Sequence, residues 1–260
     1  MRRRALITAV AAGLLATAAN GTDQDGFVEE FDTLDRQRWF VSDGWVNGPH
    51  QNCLWSASAV DVESGVLQLT LDEATDGPED YICAEIQSEQ RFEYGTFEAT
   101  VRVPFASGTN SNFFTFIGPP QGVPHHEIDF EFIARTGPTL QTNTYVDGVG
   151  DNEVLTPVTE TDVWQDIAFV WEPGRLRWYM DGELIREAEG EIVPDLPQKM
   201  YLSIWSTDLL IEWMGEFEWT APLVLEVDRV AYTPLGSECL FDDSILCHDD
   251  FQSGALGTQD

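Results

Sequence analysis

An all-β fold, an antiparallel sandwich or jelly roll, is what this chain predicts for itself. Short runs of alternating or β-branched residues recur from about Phe27 to Thr233. Among them are GVLQLTLD (65–72), YGTFEATVRVP (94–104), SNFFTFIG (111–118), EIDFEFIA (127–134) and LQTNTYVDG (140–148). Turn-forming residues punctuate these runs at the spacing of short strands. No segment sustains a helical apolar period, and no alternation of strand with helix points to a parallel sheet.

The first element along the chain stands outside that pattern. MRRR precedes the apolar stretch ALITAVAAGLLATAA, whose Ala16-Thr17-Ala18 supplies small residues for cleavage. Residues 1–19 read as a secretory signal peptide, since the apolar stretch is short for a membrane span. One β domain is expected over residues 22–235. Its later strands include WQDIAFVWEPG (164–174), RLRWYMDGELIRE (175–187), KMYLSIWS (199–206) and LVLEVDRVAYTP (223–234). Asp181-Gly182 marks a hairpin, because both residues tolerate the positive φ that a tight turn needs. Residues 236–260 form a short tail of different character, with a disulfide loop in ECLFDDSILC and a polar end.

The 260 residues carry 13 basic and 46 acidic side chains, a formal charge of −33. Removal of residues 1–19 takes away Arg2, Arg3 and Arg4 and no acid, which brings the charge to −36. Lys199 is the only lysine. Such a surface argues against nucleic acid and against anionic membrane as partners. Cys53, Cys83, Cys239 and Cys247 make an even set in a chain expected to be exported, so two disulfides are expected. Counting leaves three pairings open, of which 53–83 with 239–247 is the most economical. The cysteines lack the CxxC spacing of a zinc site.

The chemistry concentrates in HHEIDFEF (125–132). Alternate residues of a strand share a face, so Glu127, Asp129 and Glu131 project to one side and Ile128, Phe130 and Phe132 to the other. The apolar side is expected to fill the core of the sandwich. An exposed strand of so acidic a protein could carry the acids by chance, but strong neighbouring strands give this one a central place. Three like charges in a row compete to ionise, so at least one pKa must rise. Two carboxyls with separated pKa values are what glycosidic hydrolysis uses. The outer two backbones lie roughly 13 Å apart at about 3.3 Å per residue. Long Glu side chains leaning inward over the Asp close much of that distance toward the roughly 5–5.5 Å of a retaining pair. Adjacent residues of a strand face opposite ways, so His125 and His126 are not read as joint ligands of a metal.

EIDFE resembles the E-x-D-x-E motif of the family 16 glycoside hydrolases, the lichenase-like β-glucanases. The likeness extends over FDTLDRQRW, SDGWVNG, NCLWSASAV, CAEIQS, YGTFEA, SNFFTFIGPP, DGVG, FVWEPGRLRWYMDGEL, WMG and VDRVAY. It is strongest to the bacterial glycanases that trim succinoglycan, where a short Cys-bearing tail follows the jelly roll. The resemblance implies a concanavalin-like jelly roll with a concave substrate cleft, over residues 22–235. It implies a secreted, retaining endo-glycosidase acting on β-1,3-1,4-glucan or a related bacterial exopolysaccharide. Glu127 would be the nucleophile, Glu131 the general acid/base and Asp129 the assisting carboxylate. Cys53 and Cys83 fall where lichenases have their disulfide. Asn47, Glu85, Gln87, Asn143, Tyr145, Trp205 and Trp213 match substrate-binding positions, Gln87 standing where the family often has Arg. His125, where lichenases commonly have Trp, shares the face of the acids and is taken as a sugar contact.

No cofactor is expected for catalysis. The family's structural calcium would match Glu30, Gly65 and Asp228, through backbone oxygens and one carboxylate. The chain is expected to act as a monomer on its polysaccharide, with no membrane partner after signal cleavage. Two other functions compete: a transglycosylase on β-glucans, in which a sugar hydroxyl replaces water, and a lectin-like sandwich that only binds. A lectin has no need of the Glu-x-Asp-x-Glu strand.

Overall fold

The computed structural model describes residues 25–248. The expected signal peptide and the polar end of the tail lie outside the described residues. In chain order the strands are β1 (Phe27–Glu29), β2 (Trp39–Val41), β3 (Cys53–Trp55), β4 (Val60–Glu63), β5 (Val66–Glu73) and β6 (Tyr81–Ser88). Next come β7 (Gly95–Arg102), β8 (Thr109–Ile117), β9 (His126–Ile133), β10 (Thr139–Tyr145) and β11 (Val154–Pro157). The last are β12 (Trp164–Glu172), β13 (Arg175–Met180), β14 (Glu183–Glu189), β15 (Lys199–Ser206) and β16 (Leu223–Pro234). One four-residue helix, α1 (Ile211–Met214), sits between β15 and β16. Among the described residues no helix is long and apolar enough to cross a membrane.

The strands form two layers. The first sheet runs β11-β10-β9-β8-β15-β6, with β2 on the far side of β6. The second runs β5-β16-β7-β12-β13-β14, with β1 on β16 and β4 on β5. A short β5–β6 pairing at Asp72–Ile82 and Glu73–Tyr81 joins the layers along one edge. The ladders are antiparallel apart from β3, which runs parallel to β6. The predicted hairpin is present: Asp181 and Gly182 take φ of 51° and 78° between β13 and β14.

Period-2 alternation decides which side chains enter the space between the sheets. From the first sheet come Phe113, Ile128, Phe130 and Phe132, all at most 2% exposed. They meet Phe97, Phe169, Trp171 and Trp178 of the second sheet, with Phe97 and Phe169 stacked at 4.7 Å. Burial of each such ring contributes about 1.5–3 kcal/mol, so the apolar half of β9 anchors that strand firmly. The Trp178 indole N–H crosses the layer to donate to the Asp129 carbonyl at 3.2 Å.

Both disulfides join the nearest pairs in sequence, Cys53 with Cys83 and Cys239 with Cys247. The first ties β3 to β6 inside the core. The second closes the tail, which packs on the outer face of the second sheet. There Ile245 lies against Ala168, Val170 and Tyr179.

A carboxylate groove on the first sheet

Strand β9 lies between β8 and β10, so its acidic face is the middle of a sheet and not an edge. Register extends that face into rows across the strands. One row reads Tyr145, Glu127, Phe116, Lys199. The next reads Asn143, Asp129, Phe114, Tyr201, Gln87, Phe40. The third reads Gln141, Glu131, Asn112, Ser203, Glu85. Asp129 faces outward yet is only 3% exposed, so the rows line the floor of a groove.

The three acids are held in different ways. Glu127 Oε2 lies 2.5 Å from His125 Nε2, and the Asp129 carboxyl hydrogen-bonds that of Glu127. Glu131 accepts from Asn110 Nδ2 at 3.0 Å and from Gln141 Nε2 at 2.6 Å. Burial raises Asp129 well above the ordinary carboxylate range; the charges of Glu127 and Glu131 add to this, and Arg186 opposes it. Burial, then the charge of Glu127, lifts Glu131 to about 8 against the pull of its two amide donors. The separation expected from three like charges in a row is therefore present, with Glu131 holding its proton at neutral pH.

The predicted binding residues fall into two groups around these acids. His125 stacks on Tyr145 at 4.7 Å and meets Phe116 edge-on at 5.1 Å, forming one end of the groove. Asn143 is buried beside Asp129 in register. At the other end Trp205 and Trp213 lie 6.1 Å apart, with His50 edge-on to Trp205. The Trp213 indole donates to Gln141 Oε1 at 2.9 Å, so a chain of hydrogen bonds runs from α1 through Gln141 to Glu131. Glu85 is buried, accepts from Ser42 Oγ at 2.5 Å and is raised to about 7 by burial, which outweighs that bond. Gln87 donates to the same Ser42 hydroxyl at 3.4 Å. Asn47 stays exposed, yet its Oδ1 accepts from the Trp55 indole at 3.4 Å and its backbone N–H donates to Gln51 Oε1 at 3.1 Å. His126 points away from the acids, as its strand phase requires, and its ring sits 3.4 Å from Asp147 Oδ1.

Glu30, Gly65 and Asp228 lie far from this groove, on the second sheet. Glu29 pairs Val230 and Leu67 pairs Val227, so the three come to one level of β16. A bulge between Val227 and Arg229 leaves Asp228 outside the ladder. One carboxylate beside backbone carbonyls is a donor set suited to a hard cation. Among the described residues no three His, Cys, Asp or Glu side chains gather as a metal cluster.

Sequence reasoning passed over Asn110, Asn112, Phe114, Phe116, Gln141 and Lys199, which share the groove. The signal for Gln141 was present, two residues before Asn143 on one strand. Asn110 and Asn112 likewise alternate in TNSNFF. Lys199 is visible only through the register of β15.

A sandwich that holds three carboxyls in a groove, with Glu131 and Asp129 both pushed toward their protonated forms, has the apparatus of a glycoside hydrolase. The chain belongs to glycosyl hydrolase family 16, whose pattern matches residues 47–221. It is 46% identical over 224 residues to the endo-1,3-1,4-beta-glycanase ExoK of Rhizobium meliloti (strain 1021), covering 85% of this chain and 83% of that protein. A beta-glucanase of Bacillus subtilis (strain 168) is 32% identical over 88% of this chain and 95% of its own length. Among solved structures, a beta-1,3-1,4-glucanase (lichenase) from a mouse hindgut metagenome superposes with a TM-score of 0.76 at 32% identity. The superposition covers 81% of this chain and 99% of that one.

Proposed function

We propose that the chain is an exported, monomeric, retaining endo-glycosidase that hydrolyses β-1,3-1,4-glucan or a related bacterial exopolysaccharide. The observation that carries the reading is the division of labour within one row of acids. Glu131 keeps a proton near neutrality, while Glu127 sits beside His125 and receives the hydrogen bond of Asp129.

The reaction follows from that division. A Glu127 oxygen attacks the anomeric carbon while Glu131 gives its proton to the leaving glycosidic oxygen, so a glycosyl ester forms and one sugar chain departs. Glu131, now ionised, takes a proton from water, which attacks the same carbon. The ester bond breaks, and Glu127 is again a carboxylate. Asp129 shares its proton with Glu127 when that residue is charged and moderates its return. Tyr145, Asn143, Trp205 and Trp213 hold sugar rings across the strands, with His125 at one end. Residues 22–235 make the catalytic domain, residues 1–19 direct export, and the tail is an appended clamp. A calcium ion held by the Glu30 and Gly65 carbonyls and the Asp228 carboxylate would brace the second sheet and take no part in the chemistry.

The test is hydrolysis of barley β-glucan by the parent and by Glu127→Gln, with the anomeric configuration of the first product followed by NMR. The proposal expects β-configured product from the parent and none from the variant. An α-configured product, or an active variant, overturns it.

A further inference from the structure

Arg177 and Arg186 are buried guanidinium groups of the second sheet, at 5% and 9% exposed. Arg177 answers its charge with the Glu172 carboxylate at 2.8 Å. Arg186 spends its donors differently. From β14 it reaches across the space between the sheets to neutral oxygens around β10. Its Nη1 donates to the Thr142 carbonyl at 2.6 Å. Its Nη2 donates to the Asn152 carbonyl at 2.8 Å and to Asn152 Oδ1 at 2.5 Å. A buried charge whose hydrogen bonds go to neutral groups carries a desolvation cost, so its place calls for a reason.

The reason lies directly behind the acids. Trp178 and Arg186 are cross-strand partners, and the guanidinium stands 4.3 Å over the indole ring. The same indole donates to the Asp129 carbonyl at 3.2 Å. Thr142, which Arg186 holds, sits on β10 next to Asn143, the register partner of Asp129. The guanidinium thus lies under the middle of the acid row, on the core side of the sheet. Asp129 and Glu153 are the acids whose charges act on it. Glu153 is exposed, so water screens it, and the buried Asp129 is left as the effective counter-charge.

The groups facing the Asp129 carboxyl are Glu127 and Glu131 on its own strand, Tyr145 on β10 and Arg186 from β14. His125 in turn touches Glu127. Burial keeps Tyr145 protonated, and it lowers Arg186 to about 10, which leaves the guanidinium cationic at neutral pH and below. We propose that Arg186 is a positioning residue of the hydrolytic reaction that acts through Asp129. Its charge, fixed between the sheets, holds the Glu127–Asp129 pair at one shared proton, so that Glu127 keeps an oxygen free to attack. This rests on the glycosidase reading given above and deepens it.

The test is the pH profile of kcat/KM on barley β-glucan for the parent, Arg186→Met and Arg186→Lys. A positive charge near a carboxyl favours its ionised form, so without that charge the pair holds its second proton to higher pH. The acidic limb should therefore move up by about one pH unit in Arg186→Met. The basic limb belongs to Glu131, which burial and Glu127 govern, and should stay in place. Arg186→Lys loses most of the hydrogen bonds but keeps the charge, and should return the acidic limb to its parental position. Should Arg186→Met fail to fold, Asn152→Asp decides. It leaves Arg186 in place and gives it a carboxylate partner, and the acidic limb should again rise. An acidic limb that stays put in the folded Arg186→Met or Asn152→Asp variant, or that Arg186→Lys does not restore, overturns this role and leaves the glycosidase reading intact. A parent that hydrolyses no glucan overturns both.

Discussion

The molecule buries carboxyls on both of its outer faces, and the two regions treat them in opposite ways. On the second sheet Glu98 is 7% exposed, and burial pushes its pKa up. Its two oxygens accept from Ser244 Oγ at 2.7 Å and from the Ile245 amide at 2.8 Å, both supplied by the disulfide-closed tail. That carboxyl is a fastening. On the first sheet Glu127, Asp129 and Glu131 face one another, and the burial of Asp129 and Glu131 is compounded by like charge. Glu98 also feels the charge of Asp166, so neither burial nor a nearby acid alone marks a reactive carboxyl. A buried carboxyl hydrogen-bonded to another, as Asp129 is to Glu127, does, because there the protons must be shared unequally.

The largest effect should come from Glu127→Gln, with kcat falling at least about 10³-fold through loss of the attacking oxygen. Its melting temperature should hold or rise, since a repulsive charge has gone. A melting temperature that falls with activity would make Glu127 a fastening like Glu98. Glu131→Gln should lower kcat/KM by about 10²–10⁴-fold on glucan. Activated aryl glycosides, which need no proton on leaving, should be spared most of that loss. In the parent, kcat/KM should decline as pH rises through about 8, where Glu131 gives up its proton.

The groove also has a stability signature. Glu85 and Glu131 bind protons more tightly in the folded state, at about 7 and about 8, than at the ordinary value of 4.5. Their contribution is complete below about pH 4.5 and is lost as pH rises through those two values. The melting temperature should thus be higher at pH 5 than at pH 8. The double variant Glu85→Gln, Glu131→Gln should flatten that difference, and an unchanged slope would assign it to general surface repulsion.

His125→Asn should reduce kcat/KM about tenfold by removing a charge-assisted hydrogen bond to Glu127. An unchanged kcat/KM would reduce the ring to a passive wall. The smallest effect on activity should be that of Glu98→Gln. Its amide cannot accept from both tail donors, so about 1–2 kcal/mol and a few degrees of melting temperature should be lost while hydrolysis of glucan continues. Loss of hydrolysis at Glu98→Gln would erase the distinction between the two faces.

How far this could be read from the chain depends on the range of the interaction concerned. Alternation has a period of two residues and is written locally, so EIDFEF by itself places its acids on one face and its apolar residues in the core. The Asp181-Gly182 turn and the all-β character are local in the same sense. The partners of those acids are not local. Tyr145, Phe116 and Lys199 reach the row of Glu127 only through the registers of three separate ladders. Asn47 illustrates the limit from the other side, since its place in a turn says nothing of the buried Trp55 indole that occupies its oxygen.

By itself the sequence determined a sandwich, a central strand with three acids on one face, and a cysteine set whose shortest loops are 53–83 and 239–247. The tertiary structure alone decided which acid keeps its proton, that the tail clamps Glu98, and that the lone lysine stands in the groove. The reason is physical: side-chain direction follows from the neighbouring peptide units, whereas burial and the field at a carboxyl follow from strands far apart in the chain.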